Sequence, residues 1–212
     1  MSKTLGIAGA GDFGRQIAHY ALSDLHYNKV VFFDDSVGQD ALAPDIRILG
    51  GTSAIEREFE KGAFDEMIIG IGYKHLPFRR QLFESISGKI PLGRIIHSAC
   101  WVDKTASIGA GCVLYPGCYV DARVKIESNT TLNLACTIAH DTRIGKHCFL
   151  SPRVAVAGFV VVNEMCMLGI NATVIDNVKL CANTRIGGGS LVLKDVPSPG
   201  LYVGSPIRFI RE

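Results

Sequence analysis

No run of like charge, no long apolar stretch and no paired-cysteine motif occurs in the 212 residues. Lys and Arg number 22 against 20 Asp and Glu, without clustering, so the basic face that a nucleic-acid or anionic-membrane partner requires is missing. No segment approaches the roughly 20 consecutive apolar residues of a membrane span. The N-terminus runs directly into Leu5-Gly6-Ile7-Ala8-Gly9, with no basic lead and no cleavage site resembling a signal peptide, and a cytoplasmic location is the expectation. The seven cysteines include no C-x-x-C pair and no His/Cys spacing typical of zinc, so neither a metal centre nor a disulfide framework is expected.

What is present is a strict period. From Ile96 to Val192 an aliphatic residue recurs at every sixth position for seventeen consecutive hits. Four residues after each of the first sixteen sits something small or β-branched, from Cys100 and Ala106 to Thr184 and Ser190. A helix repeats near 3.6 and a flat strand near 2, so neither accounts for six. A hexapeptide repeat means a β-solenoid whose short faces stack aliphatics into a continuous core. Cys100, Cys112, Cys118, Cys136, Cys148 and Cys166 all fall in the small inward slot, where a free cysteine acts as a small buried hydrophobe; Cys181 alone does not. No insertion breaks the count before about Asp195, after which Gly200, Gly204 and Pro206 punctuate a short tail.

Residues 1–95 have a different rhythm. Lys3–Ala8 and Lys29–Phe33 are apolar strand candidates, with a helical pattern over Arg15–Leu25 between them. A loop containing Pro44 and Gly50-Gly51 leads to Thr52, a candidate N-cap for a helix over Ser53–Glu60. Met67–Ile71 is a third strand, closed by Gly72, and Pro77 opens a helix to Ile86. Strands alternating with helices imply a parallel sheet. The first turn, Gly9-Ala10-Gly11-Asp12-Phe13-Gly14, is a G-x-G-x-x-G between strand and helix, with Asp34 twenty positions on and Asp35 beside it. In that setting the glycines allow a tight turn and aim N–H groups and a helix dipole at phosphate. A domain of 95 residues is too short for both halves of a dinucleotide fold, which leaves room for one nucleotide's worth of ligand, such as a nucleotide-sugar. The alternative is a tight strand-to-helix turn that binds nothing.

Among six histidines, His140 stands at the third place of its hexapeptide, near a corner, with Asp141 directly after it. An imidazole beside a carboxylate suits a general base near neutral pH, because the negative charge favours the protonated product. A surface histidine on an outward corner is the plainer reading.

Thr137-Ile138-Ala139-His140-Asp141-Thr142-Arg143-Ile144-Gly145 resembles the active-site segment of the PglD/NeuD-like sugar acyltransferases. Met167 to Ala172, Ile186-Gly187-Gly188-Gly189-Ser190 and Leu193-Lys194-Asp195-Val196-Pro197 resemble that family's coenzyme A-binding coils, and Val203-Gly204-Ser205-Pro206 its terminal G-x-P turn. The glycine loop, Phe33-Asp34-Asp35, and Ile69-Gly70-Ile71-Gly72 followed by Arg79/Arg80 match its N-terminal half. The resemblance implies a small Rossmann-like α/β domain over 1–95 that binds a nucleotide-sugar, then a left-handed parallel β-helix over 96–212 that transfers the acyl group. It also implies a homotrimer with active sites between subunits. Carried over residue by residue, His140 is the catalytic base and Asp141 the acidic residue supporting it, a position that is often Glu in the family. Gly158, one 18-residue coil after His140, matches the glycine kept for the acetyl group; Ile170 and Gly188 match the pantetheine groove, and Lys194 is placed by its charge to approach coenzyme A phosphates. Gly9, Gly11, Asp12, Phe13, Gly14, Asp34, Asp35 and Gly72 fall on the nucleotide side. One departure is Phe149, standing where some members have a second histidine nine residues after the base; His147 is two residues off.

The expectation is therefore an acetyl-CoA-dependent N-acetyltransferase acting on a UDP-, dTDP- or GDP-linked 4-amino-4,6-dideoxy sugar, by direct attack on the thioester and without a metal. An O-acetyltransferase of the sialic acid type and a non-catalytic trimeric scaffold stand as alternatives.

Overall fold

The structure, a computed structural model, describes residues 3–36 and 47–211 of the chain; Pro44 of the expected loop lies outside them. The chain divides into two compact units, Met1–Ile95 and Ile96–Glu212.

The first unit is a small parallel sheet with helices. Its strands are β1 (Thr4–Ala8), β2 (Lys29–Phe33), β3 (Ile48–Gly50) and β4 (Glu66–Ile69), in the order β3-β2-β1-β4. Helix α1 (Asp12–Ser23) begins three residues earlier than its apolar periodicity suggests, because the glycine turn feeds it directly. Thr52 opens a short 3-10 turn, Thr52–Ala54, before α2 (Ile55–Glu60), so it is the first helical residue and not the cap. Its N–H and hydroxyl donate instead to the Asp35 carboxylate, each at 2.8 Å. Helix α3 (Leu76–Ile86) carries Pro77 in its first turn, where the missing N–H costs nothing. The core runs through Phe33, Phe64, Met67, Ile69 and Ile86.

The second unit is a parallel β-helix with three faces. One stacks 107–108, 125–126, 143–144, 161–162 and 179–180; the next stacks 101–102, 119–120, 137–138, 155–156, 173–174 and 191–192. The third stacks 113–114, 131–132, 149–150, 167–168 and 184–186. Every pairing up to that point is parallel with an 18-residue offset, as in Lys125↔Arg143 and Thr137↔Ala155. The tail is more structured than its punctuation suggests: Gly200–Val203 pairs parallel to Thr184–Ile186, and Arg208–Arg211 folds back antiparallel on it.

Most corners contain one residue in the left-handed region. From Gly111 to Gly189 it recurs at every sixth residue, including Asn129, Asn171, Asn177 and Asn183, and also Arg123, Asp141 and Phe159 with φ of 60°, 59° and 59°. Asn and Gly adopt this region readily, whereas Arg and Phe do so at a cost. The small slot does more than fill space. The sulfhydryls of Cys100, Cys112, Cys118, Cys136, Cys148 and Cys166 each donate to a carbonyl fifteen residues on, in the next coil, at 3.1–3.2 Å. Thr130 and Thr142 make the same bond with their hydroxyls at 2.8 Å. Among the described residues, no helix is long and apolar enough to cross a membrane.

Leu150, fully buried on the core side, has its neighbours fixed by the coils above and below. Leu150→Ala should cost about 2–5 kcal/mol, whereas Lys125→Ala on an outward site should stay within about 0.5 kcal/mol. Urea unfolding of both variants tests this, and equal effects would contradict a core built from the six-residue ladder.

Candidate active site

His140 and Asp141 form the corner between strands 137–138 and 143–144. The left-handed conformation of Asp141 sets its carboxylate beside the preceding ring: His140 Nδ1 lies 2.9 Å from Asp141 Oδ2. Arg123, one coil earlier, donates from Nε to Oδ1 at 2.6 Å and from its terminal nitrogen to Oδ2 at 2.8 Å. Hydrogen bonds from Arg123 and then from His140 hold the Asp141 carboxyl down to about 2. An ionised carboxylate only accepts, so Nδ1 of the imidazole carries the hydrogen and Nε2 is the basic nitrogen.

Gly158 lies directly against this imidazole. A Cβ built on it would stand 2.8 Å from His140 Cε1 and 3.0 Å from Nε2. The glycine, one coil after His140 as its sequence position requires, is buried under the ring. Phe159 packs edge-on against the same imidazole, with centroids 5.2 Å apart, and its ring is 54% exposed. Lys194 is exposed in the same corner column, three coils beyond His140.

Ile170 and Gly188 lie on a different corner, between the strands at 167–168 and 173–174 and those at 184–186 and 191–192. They stack on one another: a Cβ on Gly188 would meet Ile170 Cγ2 at 3.1 Å, and Ile170 is 52% exposed. One solenoid face separates this pair from His140, so a single chain does not bring the two groups together. Phe149 is buried on the third face between Thr131 and Met167. His147 is also buried, with Nδ1 2.9 Å from Asn129 Nδ2, and does not reach the His140 corner.

In the first unit, the carboxyl ends of β1 and β4 open a cleft of about 440 Å³. Strand order reverses at β1, and the crevice there is where open α/β sheets bind ligands. Gly9, Gly11, Asp12, Phe13, Asp34, Asp35 and Gly72 all line it, joined by His75 and Phe78 and by Thr52, which the sequence marked only as a helix start. The glycines divide the work. Gly9 has φ of 104°, and a Cβ on Gly14 would overlap the Gly9 carbonyl oxygen, so Gly14 serves close helix–strand packing. At Gly11 and Gly72 a Cβ would meet nothing within 4 Å; those two present bare backbone to open space. Asp34 accepts from the Ala10 N–H at 2.7 Å and from the Ser36 N–H at 2.8 Å, tying the loop to the end of β2. Behind Phe13 lies the fully buried Arg79, its guanidinium carbon 6.0 Å from the ring centre. Among the described residues, no group of three or more His, Cys, Asp or Glu side chains is arranged to hold a metal ion.

Residues 4–86 match the family model of the PglD N-terminal domain. The acetyltransferase domain of PglB from Neisseria gonorrhoeae FA1090, solved with acetyl coenzyme A, superposes with a TM-score of 0.89 at 23% identity, covering 99% of this chain and 100% of that one. PerB from Caulobacter crescentus, solved with CoA and GDP-perosamine, gives 0.86 at 25% identity over 98% of this chain and 97% of that one. Superpositions of this quality fix the hand of the coils, and the second unit is a left-handed parallel β-helix. Serine acetyltransferase 2 of Arabidopsis thaliana is 40% identical over 50 residues, 24% of this chain. The match spans about a sixth of that relative's length, 16%.

The depressed Asp141 carboxyl has a consequence for stability. Its interactions stabilise the fold fully above the ordinary carboxylate range near 4 and fade as pH falls toward about 2. The melting-temperature gap between parent and Asp141→Asn should close as pH falls from about 5 toward 2. A gap independent of pH down to 2 would contradict the pairing.

Proposed function

We propose that the chain is a PglD/NeuD-like sugar acyltransferase, an acetyl-CoA-dependent N-acetyltransferase of a nucleotide-linked amino sugar, on the match of residues 4–86 to the PglD N-terminal domain model and the fold shared with the PglB acetyltransferase domain and PerB. The observation that carries this reading is His140, seated on Gly158 with its Nδ1–H on Asp141, which leaves Nε2 as an accessible base beside a corner cleared of any Cβ. PerB, with CoA and GDP-perosamine in its complex, supports a nucleotide-linked amino sugar as the substrate class; within it we propose a 4-amino-4,6-dideoxy sugar on UDP, dTDP or GDP.

In this mechanism the sugar amine attacks the thioester carbonyl, the N–C bond forms, and Nε2 of His140 takes the amine proton. Collapse of the tetrahedral intermediate expels the thiolate, which recovers that proton from the imidazolium; backbone N–H groups stabilise the oxyanion. The nucleotide is held in the glycine-loop cleft. Bare backbone at Gly11 and Gly72 and the N-terminus of α1 suit phosphate there, with Asp34 and Asp35 shaping the rim. Ile170 and Gly188 line the pantetheine arm, and Lys194 takes a coenzyme A phosphate. Since the His140 corner and the Ile170/Gly188 corner are separated by a face of the same solenoid, the reading also requires a second copy of the chain to complete each site, as in a homotrimer.

A panel of UDP-, dTDP- and GDP-linked amino sugars, set beside free and CMP-linked sialic acids and followed by thiol release, tests the acceptor. Release with hydroxyl acceptors alone would reject the amine. On the active acceptor, His140→Ala should lower turnover by roughly 10²–10⁴ with the fold intact, and near-normal turnover would sink the assignment. Even Gly158→Ala should displace the imidazole, because its Cβ needs the space of His140 Cε1. Turnover should fall by roughly 10²-fold, with a raised Michaelis constant for acetyl-CoA and unchanged calorimetric binding of the nucleotide-sugar. Unchanged kinetics would dismiss the pocket.

A further inference from the structure

The corner that holds His140 is tied to the two coils before it by a chain of side-chain bonds. Thr105 caps Asp103 through its N–H and hydroxyl, at 2.8 and 2.6 Å, and its hydroxyl oxygen accepts the backbone N–H of Arg123 at 2.8 Å. Arg123 then grips both oxygens of Asp141, and Asp141 Oδ2 is shared with His140 Nδ1. Residues 105, 123 and 141 are spaced by one coil each, so the solenoid's own register aligns them. Arg123 and Asp141 both sit in the left-handed region, which points their side chains along the corner column.

We infer that Arg123 is the positioning residue of this site: by fixing and neutralising Asp141 it holds the imidazole in its Nδ1–H tautomer, with Nε2 turned to accept a proton. The inference rests on the reading of His140 as the base. Its electrostatics follow from counting charge. With Arg123 in place, the Arg–Asp–His cluster is neutral when the imidazole is neutral and carries a full positive charge when it is protonated. Without Arg123 the same protonation takes the cluster from −1 to zero, which is easier. The other charges that face the cluster are few. Asp121 and Asp103 lie on the Arg123 side. Lys104 and Asp176 occupy the His140 column two coils away in either direction, and Gly158 and Phe159, packed on the ring, are uncharged. A carboxylate held at two oxygens also cannot rotate away from Nδ1, so the ring's orientation is set before substrate arrives.

The test compares the parent with Arg123→Met and Arg123→Lys. In Arg123→Met the acid limb of the turnover profile should move to higher pH by roughly one unit, the low end of what a lost neighbouring charge produces, since the Arg123 side chain is 62% exposed. The deficit should shrink as pH rises, with the Michaelis constant for acetyl-CoA within about twofold of the parent. Arg123→Lys restores the charge without the fork, so its acid limb should stay near the parent's while turnover falls at every pH. Nitrogen-15 spectra of the His140 ring, assigned with His140→Gln, should show the Nδ1–H tautomer in the parent and a mixture in Arg123→Met. An acid limb unmoved in Arg123→Met, or an Nε2–H tautomer in the parent, would overturn the inference. The ring spectra need no turnover. The expected tautomer change in a protein that acetylates no sugar would therefore uphold the role of Arg123 and reject the proposed function.

Discussion

An aliphatic side chain at every sixth residue is buried only if the chain turns through a third of a circle every six residues. That turn falls on a single residue in the left-handed region, repeated from Gly111 to Gly189. Everything else in the second unit depends on it. The turn sets the 18-residue coil, the coil sets which side chains stack, and the stack decides what each corner presents to solvent. Some corner carbonyls are within reach of the small slot of the preceding coil, and a buried acceptor left unpaired is costly. Cysteine and threonine in the small slot answer that need, since each is small enough for the core and brings one donor to the carbonyl fifteen residues on. Valine fills the same space at other coils without a donor.

Because side chains at one corner repeat every 18 residues, chemistry is assembled along a column from residues far apart in sequence. Arg123, Asp141 and Phe159 share one such column, with His140 and Gly158 in the column beside it. The imidazole needs a glycine above it and a carboxylate next to it, and the solenoid supplies both without a loop insertion. The first unit works on the opposite plan. There the candidate cleft comes from the ends of two parallel strands, where glycines keep the backbone bare and acidic side chains are spent on tying loops together.

Much of this was legible in the sequence because it is periodic. The solenoid follows from the six-residue count, and the strand Lys29–Phe33 from its apolar run. Other features carried weaker signals. Ile48–Gly50 is three residues long, too short for any periodicity. The left-handed corners were readable in hindsight from Asn129, Asn171, Asn177 and Asn183 at six-residue multiples, but Arg123 and Phe159 interrupt that signal with residues that disfavour the conformation. Arg123 lies one coil before Asp141, which spacing reveals; that its fork closes on the carboxylate depends on side-chain direction, which spacing does not encode. The coil count already places Gly158 one coil after His140; how closely the imidazole lies on it is not encoded in the spacing.

The hairpin at the C-terminus bears on a hazard common to stacked coils. A parallel solenoid ends in a row of unpaired N–H and C=O groups on each face, a template on which the first coil of another molecule can dock and propagate into a filament. Here the last strand of the third face, Arg208–Arg211, runs antiparallel to Gly200–Val203 and so breaks the repeat that a further coil would have to match. Its ends carry Arg208 and Arg211, both exposed, and cationic side chains on an edge strand discourage pairing. On this face the hairpin thus puts an antiparallel strand with a cation near each end where a further parallel coil would have to pair.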